Sequence, residues 1–406
     1  MSIEGYKQTR NKITSRFSLQ NMLKCLEDPE HPSMGPFLRF MNLTGHWHPN
    51  MELKSTRFKQ LVYYITMTFF CSQYLKCLIS LDPSAFIFIL QTVPFHLAIP
   101  RAVFFRKDHH LWQKLIDYMS RTELRQLSDE DGEVIDVMEE YIRRSRRVIY
   151  TFWFMVICVN TSLCIEPYEK NQIVENGTDI YVPFFQIYVP FNQEVPPGYY
   201  YSMALQTIIA NIMSSYVISW DSLVISTFIF FAGQLKISRV YCTKVIDPES
   251  KERSHENIIK FHRFHTSLIE HQKLLQKLIS SPMFIYFIVI SSNLGYCIIQ
   301  ISKASGDLPG MVMAFLYWFG ILIQVLILYW FSNQVTVESL SVSSGIFESK
   351  WITMDAKTQK EVVLLQLTTS KRLCFRAGPF SEMSLSTFTA IIRASYSFFT
   401  LLNKTK

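Results

Sequence analysis

A polar stripe runs along the last apolar stretch of the chain, within residues 380–406. On a helix turning about 100° per residue, seven polar residues fall within roughly an 80° arc. They are Glu382, Ser386, Thr389, Arg393, Ser397, Thr400 and Lys404. Lipid does not accommodate polar and charged groups, so such a stripe turns toward protein or water. We expect this helix either to pack inside a polar bundle or to line a water-filled path.

Two other groups of residues could carry chemistry. His262 and His265 are three residues apart and could share a metal ion, but no carboxylate or cysteine completes a ligand set. Asp221 is the one acid in the middle of an apolar span, where a packing or anchoring role near the inner membrane interface is favoured. No hydrolase, zinc-protease or nucleotide-binding motif is present, so we predict no enzyme, no metal and no cofactor.

Composition indicates the elements that position these residues. Apolar residues make up 49% of the chain and aromatic residues 15%, while charged residues are only 18%. This profile is typical of a protein that crosses a membrane several times. The basic runs lie beside the ends of apolar stretches, which favours anionic lipid headgroups over nucleic acid as their partner.

Seven apolar stretches predict an all-α protein with seven transmembrane helices. Most have about the length of one bilayer crossing, and the fourth is longer and should extend beyond the membrane. The stretches are Leu61–Leu81, Ser84–Phe105, Val148–Ile165, Met203–Phe231, Met283–Ile301, Met311–Phe331 and Met383–Leu402. They divide the chain into an N-terminal region (1–56), six helices with a ligand pocket in their outer half (57–332), an anchor segment (333–380) and a last helix (381–406).

The distribution of Lys and Arg predicts the orientation. Ten lie in residues 101–147, nine in 233–281 and six in 332–381, whereas residues 166–199 hold only Lys170. Positive residues favour the cytoplasmic side, so we expect the N-terminus inside and the C-terminus outside. The glycosylation sequon at Asn176 then falls in an outer loop.

The inner segment before the last crossing also shows a pattern. Apolar residues recur at helical spacing from Thr358 to Phe375, which predicts a cytoplasmic helix too short and too polar to span. Gly378 and the proline after it should break the chain between this helix and the last crossing.

Aromatic and sulfur-containing side chains crowd the outer halves of four stretches. As a set they are typical of the lining of a small, mostly apolar ligand pocket, although each alone could equally face lipid or the packed interior. The candidate lining residues, among which Gln91 and Thr92 are possible polar handles, are Phe88, Gln91, Thr92, Phe154, Cys158, Ile209, Met213, Tyr216, Tyr317 and Trp318. Asn160 and Ser162 are further possible polar handles.

The last 80 residues or so resemble those of insect odorant receptors. The run Gln324–Trp351 is similar to that family's aromatic-Cys-Gly-Asn, Ser and Ala/Gly-x-Tyr/Phe-x-Ser-x-Trp pattern. The matching positions are Trp330, Ser332, Asn333, Ser339, Gly345, Phe347, Ser349 and Trp351. Lys371–Leu402 resembles the family's ending, although Trp330 and Ser332 stand where Cys and Gly are common.

The resemblance implies a subunit of a ligand-gated, nonselective cation channel, with four subunits around one pore lined by the seventh helix. It implies pore or gate positions at Arg393, Ser397, Thr400, Leu401 and Lys404, with Leu401 as the hydrophobic gate. It implies a subunit anchor that includes Asn333, Ser339, Phe347, Trp351, Arg372 and Gly378. The ligand would be a small hydrophobic volatile, and the protein would be located in the plasma membrane of olfactory sensory neurons.

The short connection between the fourth and fifth helices resembles the odour-tuned subunits rather than the shared co-receptor, which would then be the partner. A ring of four Lys404 side chains should repel cations, so the chain alone should conduct poorly. A gustatory receptor of the same superfamily is one alternative, although its usual ending fits less well. A transporter or membrane enzyme would need paired intramembrane charges or a catalytic set, and none is visible beyond Asp221 and Arg393.

Overall fold

The computed structural model describes most of the chain. The described residues are 26–48, 53–80, 89, 92–128, 131–174, 181, 191–192, 195–304, 306, 308–379 and 381–404. Phe88, Gln91 and Asn176 therefore lie outside the described residues.

The described chain is a bundle of α-helices with one short hairpin. The helices are α1 (Gly35–Thr44), α2 (Lys54–Ser80), α3 (Ala98–Lys107), α4 (His109–Leu127), α5 (Gly132–Val174), α6 (Gly198–Thr243), α7 (Lys251–Lys303), α8 (Leu308–Glu348), α9 (Ala356–Thr369) and α10 (Leu385–Lys404). A 3₁₀ turn covers Trp351–Thr353, and strands β1 (Arg376–Ala377) and β2 (Ser381–Glu382) pair antiparallel.

Four of the helices are much longer than one bilayer crossing. Helices α5 to α8 contain 43, 46, 53 and 41 residues. At 1.5 Å per residue they measure roughly 60 to 80 Å, about twice the hydrocarbon thickness. In these four helices the predicted apolar stretch therefore forms only part of the helix, and polar residues continue the same helix beyond it.

Within the described residues, three helices are long and apolar enough to cross a membrane, namely α6, α7 and α8. These contain the fourth, fifth and sixth predicted stretches. The total of seven crossings stays a prediction, as does the division of the chain into four segments. Helix α6 has 46 residues and extends beyond the fourth apolar stretch as predicted, but α5, α7 and α8 are similarly long, so the fourth helix is not exceptional.

Helix α6 lies at the centre of the bundle, packed against both α5 and α8. From Tyr216 to Leu235 every side chain of α6 is buried. The polar members of this run, such as Asp221 and Gln234, therefore need partners inside the protein. We call the end of the bundle that holds residues 26–48, α4 and α9 the inner end, and the opposite end the outer end.

The segment between α8 and α10 corrects one prediction. The helix predicted over 358–375 ends at Thr369, and the chain then runs extended with Leu373 and Phe375 buried. The change has a local cause, because the Leu373 N–H donates to Ser339 Oγ at 3.0 Å instead of closing a further helical turn. Gly378 breaks the chain as predicted, since its φ of 65° lies in the left-handed region.

Candidate functional site

A mostly apolar cavity lies between four segments of the described bundle. It contains about 550 Å³ of empty space, part of it open to the surroundings. Its lining comes from the segment before α3 and from α5, α6 and α8. The residues are Pro94, Phe95, Met155, Val156, Val159, Asn160, Ser214, Val217, Tyr317, Gly320, Ile321 and Gln324.

Helical spacing brings these side chains to one place. On α8, residues 317, 320, 321 and 324 repeat at intervals of three and four and so share one face. Gly320 lets α8 approach α5 closely, because an added Cβ would come within 2.7 Å of Val159 Cγ2. A larger residue at position 320 would require the Val159 side chain or one of the two helices to shift.

Two small polar networks interrupt the apolar lining. On one wall, Asn160 Nδ2 donates to Asn211 Oδ1 at 3.0 Å. The Ser214 hydroxyl donates to Asn160 Oδ1 at 3.1 Å. On another wall, Gln324 Nε2 donates to Asp221 Oδ2 at 2.5 Å. The cavity is thus apolar over most of its surface, with hydrogen-bonding groups at a few fixed points.

Asp221 forms a buried ion pair behind Gln324. Arg101 Nη2 lies 3.1 Å from Asp221 Oδ1 and Arg101 Nη1 lies 3.2 Å from Oδ2. Both side chains are almost wholly buried, at 2% and 0% exposure. The guanidinium also lies over the Tyr286 ring, 4.9 Å from its centroid. This charge cluster joins α3, α6, α7 and α8 immediately beside the cavity.

This ion pair corrects the sequence analysis. The anchoring role expected for Asp221 agrees with its complete burial in this pair. The expectation that paired charges are absent was wrong, since Arg101 supplies the partner. Arg101 was counted with the loop cations because it sits near the end of the second stretch, four residues before Phe105. A carboxylate buried in an apolar span needs a cationic partner, and a search for that partner could have identified Arg101.

The predicted pocket residues fall in several places. Tyr317 lines the cavity, and Asn160, one of the possible polar handles, lines it too. Ile209, Met213 and Tyr216 are buried on α6, Thr92 is buried, and Trp318 is partly buried. Phe154 and Cys158 are exposed on α5, Phe154 by 70%.

Helix α10 presents the polar stripe away from its own bundle. Ser386, Thr389, Arg393 and Ser397 are exposed, and Thr400 is half-buried. The opposite side packs on α7, where the buried Ser395 hydroxyl donates to the Ser291 carbonyl at 3.3 Å. Leu401 and Lys404 belong to α10, but their side chains are outside the described ones.

The predicted anchor residues lie at the inner end. Ser339 is buried and accepts the Leu373 N–H, while Phe347 is 60% exposed. Arg372 forms an ion pair with Glu382 across the β1–β2 hairpin. The Gly378 N–H donates to the Ser280 carbonyl of α7 at 3.0 Å. Asn333 and Trp351 are both partly buried.

The inner end also holds a buried carboxyl cluster. Glu123 accepts the Ser33 N–H at 3.0 Å and the Tyr141 hydroxyl at 3.0 Å. Burial raises the pKa of Glu123 to about 7, although these hydrogen bonds and Arg146 oppose the shift. Arg146 in turn pairs with Glu27 at 2.5 Å. The described N-terminal segment is therefore tied to α4 and α5 by buried polar contacts.

In the part of the chain that the structure describes, the predicted histidine pair has no set of metal ligands around it. Burial lowers the pKa of His265 to about 4, with His262 contributing in the same direction. Its ring stacks on Phe261 with centroids 5.6 Å apart. Among the residues the structure describes, no three His, Cys, Asp or Glu side chains cluster as metal ligands do.

Comparison with known proteins identifies related chains. Odorant receptor 10 of Aedes albopictus is 22% identical over 76% of this chain and 80% of its own length. Odorant receptor 30a of Drosophila melanogaster is 22% identical over 94% of this chain and 99% of its own.

The fold is shared with a solved structure. The insect olfactory receptor OR5 from Machilis hrabei in complex with eugenol superposes with a TM-score of 0.77 at 14% identity. The match covers 99% of this chain and 100% of that chain.

The family itself is identified by its sequence profile. The profile described as 7tm Odorant receptor matches residues 82–396, which include the cavity, the Arg101–Asp221 pair and most of α10. This chain belongs to the 7tm odorant receptor family of membrane proteins.

Proposed function

We propose that the chain is the odour-tuned subunit of a ligand-gated, nonselective cation channel. A small hydrophobic volatile binds in the cavity between α5, α6 and α8. The observation that carries this proposal is the cavity itself, mostly apolar with a few fixed polar groups, as small-molecule sites are. The similar olfactory receptor OR5 was solved with eugenol, which supports a volatile as the ligand. We assign the chain no enzymatic reaction.

In this proposal α10 lines the central pore of a tetramer. Its exposed polar stripe, with Arg393 and Ser397, would face water between subunits. Ligand binding favours a state in which the four α10 helices move apart and Leu401 leaves the axis. The ligand must bind that open state better, and a hundredfold preference supplies about 2.7 kcal/mol.

Exposed apolar side chains support subunit contacts at the inner end. On the inner part of α8, Leu340 and Phe347 are 51% and 60% exposed. In the segment after it, Ile352 and Leu367 are each 71% exposed. Large apolar side chains that are exposed together in one part of a chain are candidates for a protein interface. We assign these side chains to the anchor between neighbouring subunits, in a channel with seven crossings per subunit and a cytoplasmic N-terminus.

The membrane is the plasma membrane of olfactory sensory neurons, and the partner is the shared odorant co-receptor. The chain should need this partner because four Lys404 side chains at the outer constriction of a homotetramer would repel cations. Voltage clamp of cells expressing the chain alone should show no robust odour-gated cation current. The same cells with co-receptor should show it. Robust current without co-receptor would contradict this role of Lys404.

The ligand site is tested by filling the cavity. Val217 lines the cavity on α6, so Val217→Phe should reduce odour-evoked current at least tenfold in cells that also express co-receptor. Ile208 is on the same helix but 58% exposed, so Ile208→Phe is the matched control and should leave the response unchanged. Equal responses of the two variants would place the ligand elsewhere.

A further inference from the structure

The amide of Gln324 has unused hydrogen-bonding capacity at the cavity wall. A glutamine side chain offers two N–H donors and a carbonyl oxygen with two lone pairs. In the described structure Gln324 makes one side-chain hydrogen bond, from Nε2 to Asp221 Oδ2. One N–H and the whole carbonyl oxygen therefore remain for a molecule in the cavity.

The Asp221 carboxylate changes the character of that amide. Donation of an N–H to an anion polarises the amide and makes its carbonyl oxygen a better acceptor, since bonds in a chain strengthen one another. Arg101 holds the carboxylate in place from the other side, at 3.1 and 3.2 Å. Asp221 and Arg101 are both buried, so little solvent screens their effect on the partly buried Gln324 amide.

Ser214 supplies a second acceptor on the same cavity. A hydroxyl has a single hydrogen, and that of Ser214 is donated to Asn160 Oδ1 at 3.1 Å. Its oxygen lone pairs stay available, whereas it has no further hydrogen to give. The second N–H of Asn160 is the matching donor on this wall, since its first is used by Asn211.

We propose that the cavity is selective for a mostly apolar ligand that carries one hydroxyl group, an alcohol or a phenol, with the Gln324 carbonyl and Ser214 hydroxyl oxygens as acceptors. A ligand hydroxyl can donate to such an oxygen and accept from the Gln324 or Asn160 N–H at once. An ether or a ketone of the same size can only accept. It would leave the acceptors unpaired in an apolar site, which costs affinity. This inference rests on the proposed function and names its ligand class.

Matched pairs of volatiles test the selectivity. Cells expressing the chain with co-receptor are exposed to alcohols of six to ten carbons and to alkylphenols, each beside its O-methyl ether. The hydroxyl member of each active pair should have a half-maximal concentration at least tenfold lower. Ethers that act equally or better would overturn the inference while leaving the odorant-gated channel intact. Silence toward a broad odour panel would instead overturn the proposed function.

Substitution of Gln324 tests whether the preference for hydroxyl-bearing ligands depends on this residue. In Gln324→Met the preference for the hydroxyl member should fall to about twofold or less, while responses to ethers persist and show that the variant is assembled. Ser214→Ala should reduce the preference without removing a partner of Asp221. Gln334→Met makes the same change on the same helix away from this cavity and should keep the tenfold preference. Unchanged preference in both Gln324→Met and Ser214→Ala would overturn the assignment.

Discussion

The two halves of α6 differ in what surrounds them. In the inner half, Leu223 and Phe228 are completely buried, and so is the charged Asp221. In the outer half, Tyr201 and Ile208 are 69% and 58% exposed, so one side of the helix faces away from the protein. The cavity lies where the two halves meet, at residues 214 and 217.

The difference shows where this bundle is rigid and where it has room. Several polar groups in the inner half are paired within the protein, as in the reciprocal bonds between Gln126 and Gln234, both 2.8 Å. A packed region of this kind has few alternative arrangements. The outer half is exposed along one side, and the cavity at its boundary with the inner half leaves room for a small molecule.

Of the substitutions that compare the two halves of α6, removing one charge from the buried pair should cause the largest loss of stability. Asp221→Leu leaves Arg101 buried without a counterion and should cost about 3–5 kcal/mol in stability. A large fall in thermal stability of the detergent-solubilised protein and loss of surface expression are the measurements.

The double variant Arg101→Met with Asp221→Leu is the matched control. Replacing a buried ion pair with apolar residues is often nearly neutral, so the double variant should recover most of the lost stability. A double variant as unstable as the single one would show that the pair does more than neutralise charge.

The loss of stability on shortening a side chain should differ between the two halves of α6. Leu223→Ala removes packing from a fully buried site and should cost about 2–4 kcal/mol. Ile208→Ala, on the exposed outer half, should cost under about 0.5 kcal/mol. The two melting temperatures, measured in the same detergent, make the comparison, and equal shifts would mean that the halves are packed alike.

The buried Glu123 should give the inner end a pH dependence. Its pKa of about 7 lies above the free-glutamate value of 4.5, so between these values the folded protein keeps a proton that the unfolded chain releases. Stability from this group therefore falls as pH rises from about 4.5 to about 7. Ser33, Tyr141 and Arg146 are the groups that face the carboxyl.

Glu123→Gln should remove this slope. The difference in melting temperature between native and variant proteins should grow in favour of the variant from pH 5 to pH 8. A constant difference across that range would show that Glu123 is ionised in the folded protein throughout.

Breaking an exposed ion pair should have the smallest effect. Arg239 and Glu348 lie 2.6 Å apart at the inner end, with side chains 45% and 49% exposed. Solvent screens such a pair, so Arg239→Gln should cost at most about 1 kcal/mol. A shift in melting temperature as large as that of Asp221→Leu would remove the distinction between buried and exposed charge.

The positions of the helices can be predicted from the sequence better than the contacts that each helix makes. The apolar runs of the fourth, fifth and sixth stretches and the break at Gly378 are local signals, and both appear in the structure. The end of α9 was missed because it depends on Ser339, thirty-four residues from Leu373. The exposure of Phe154 and Cys158 was missed because lipid is as apolar as a protein interior, so hydrophobicity does not tell the two faces apart. Gln324 was missed because its hydrogen bond to Asp221, a residue far away in the sequence, leaves no local signal.

The buried ion pair also sets an order of events in biosynthesis. Arg101 is translated 120 residues before Asp221, so the ribosome needs roughly 6 to 24 s to supply the partner. Until then Arg101 has no carboxylate partner from α6, and near the inner end of the second predicted crossing its long side chain can reach the interface at little cost. The buried pair can form only after α6 has been made, so the packing of α3 against α6 is expected to be a late step in folding.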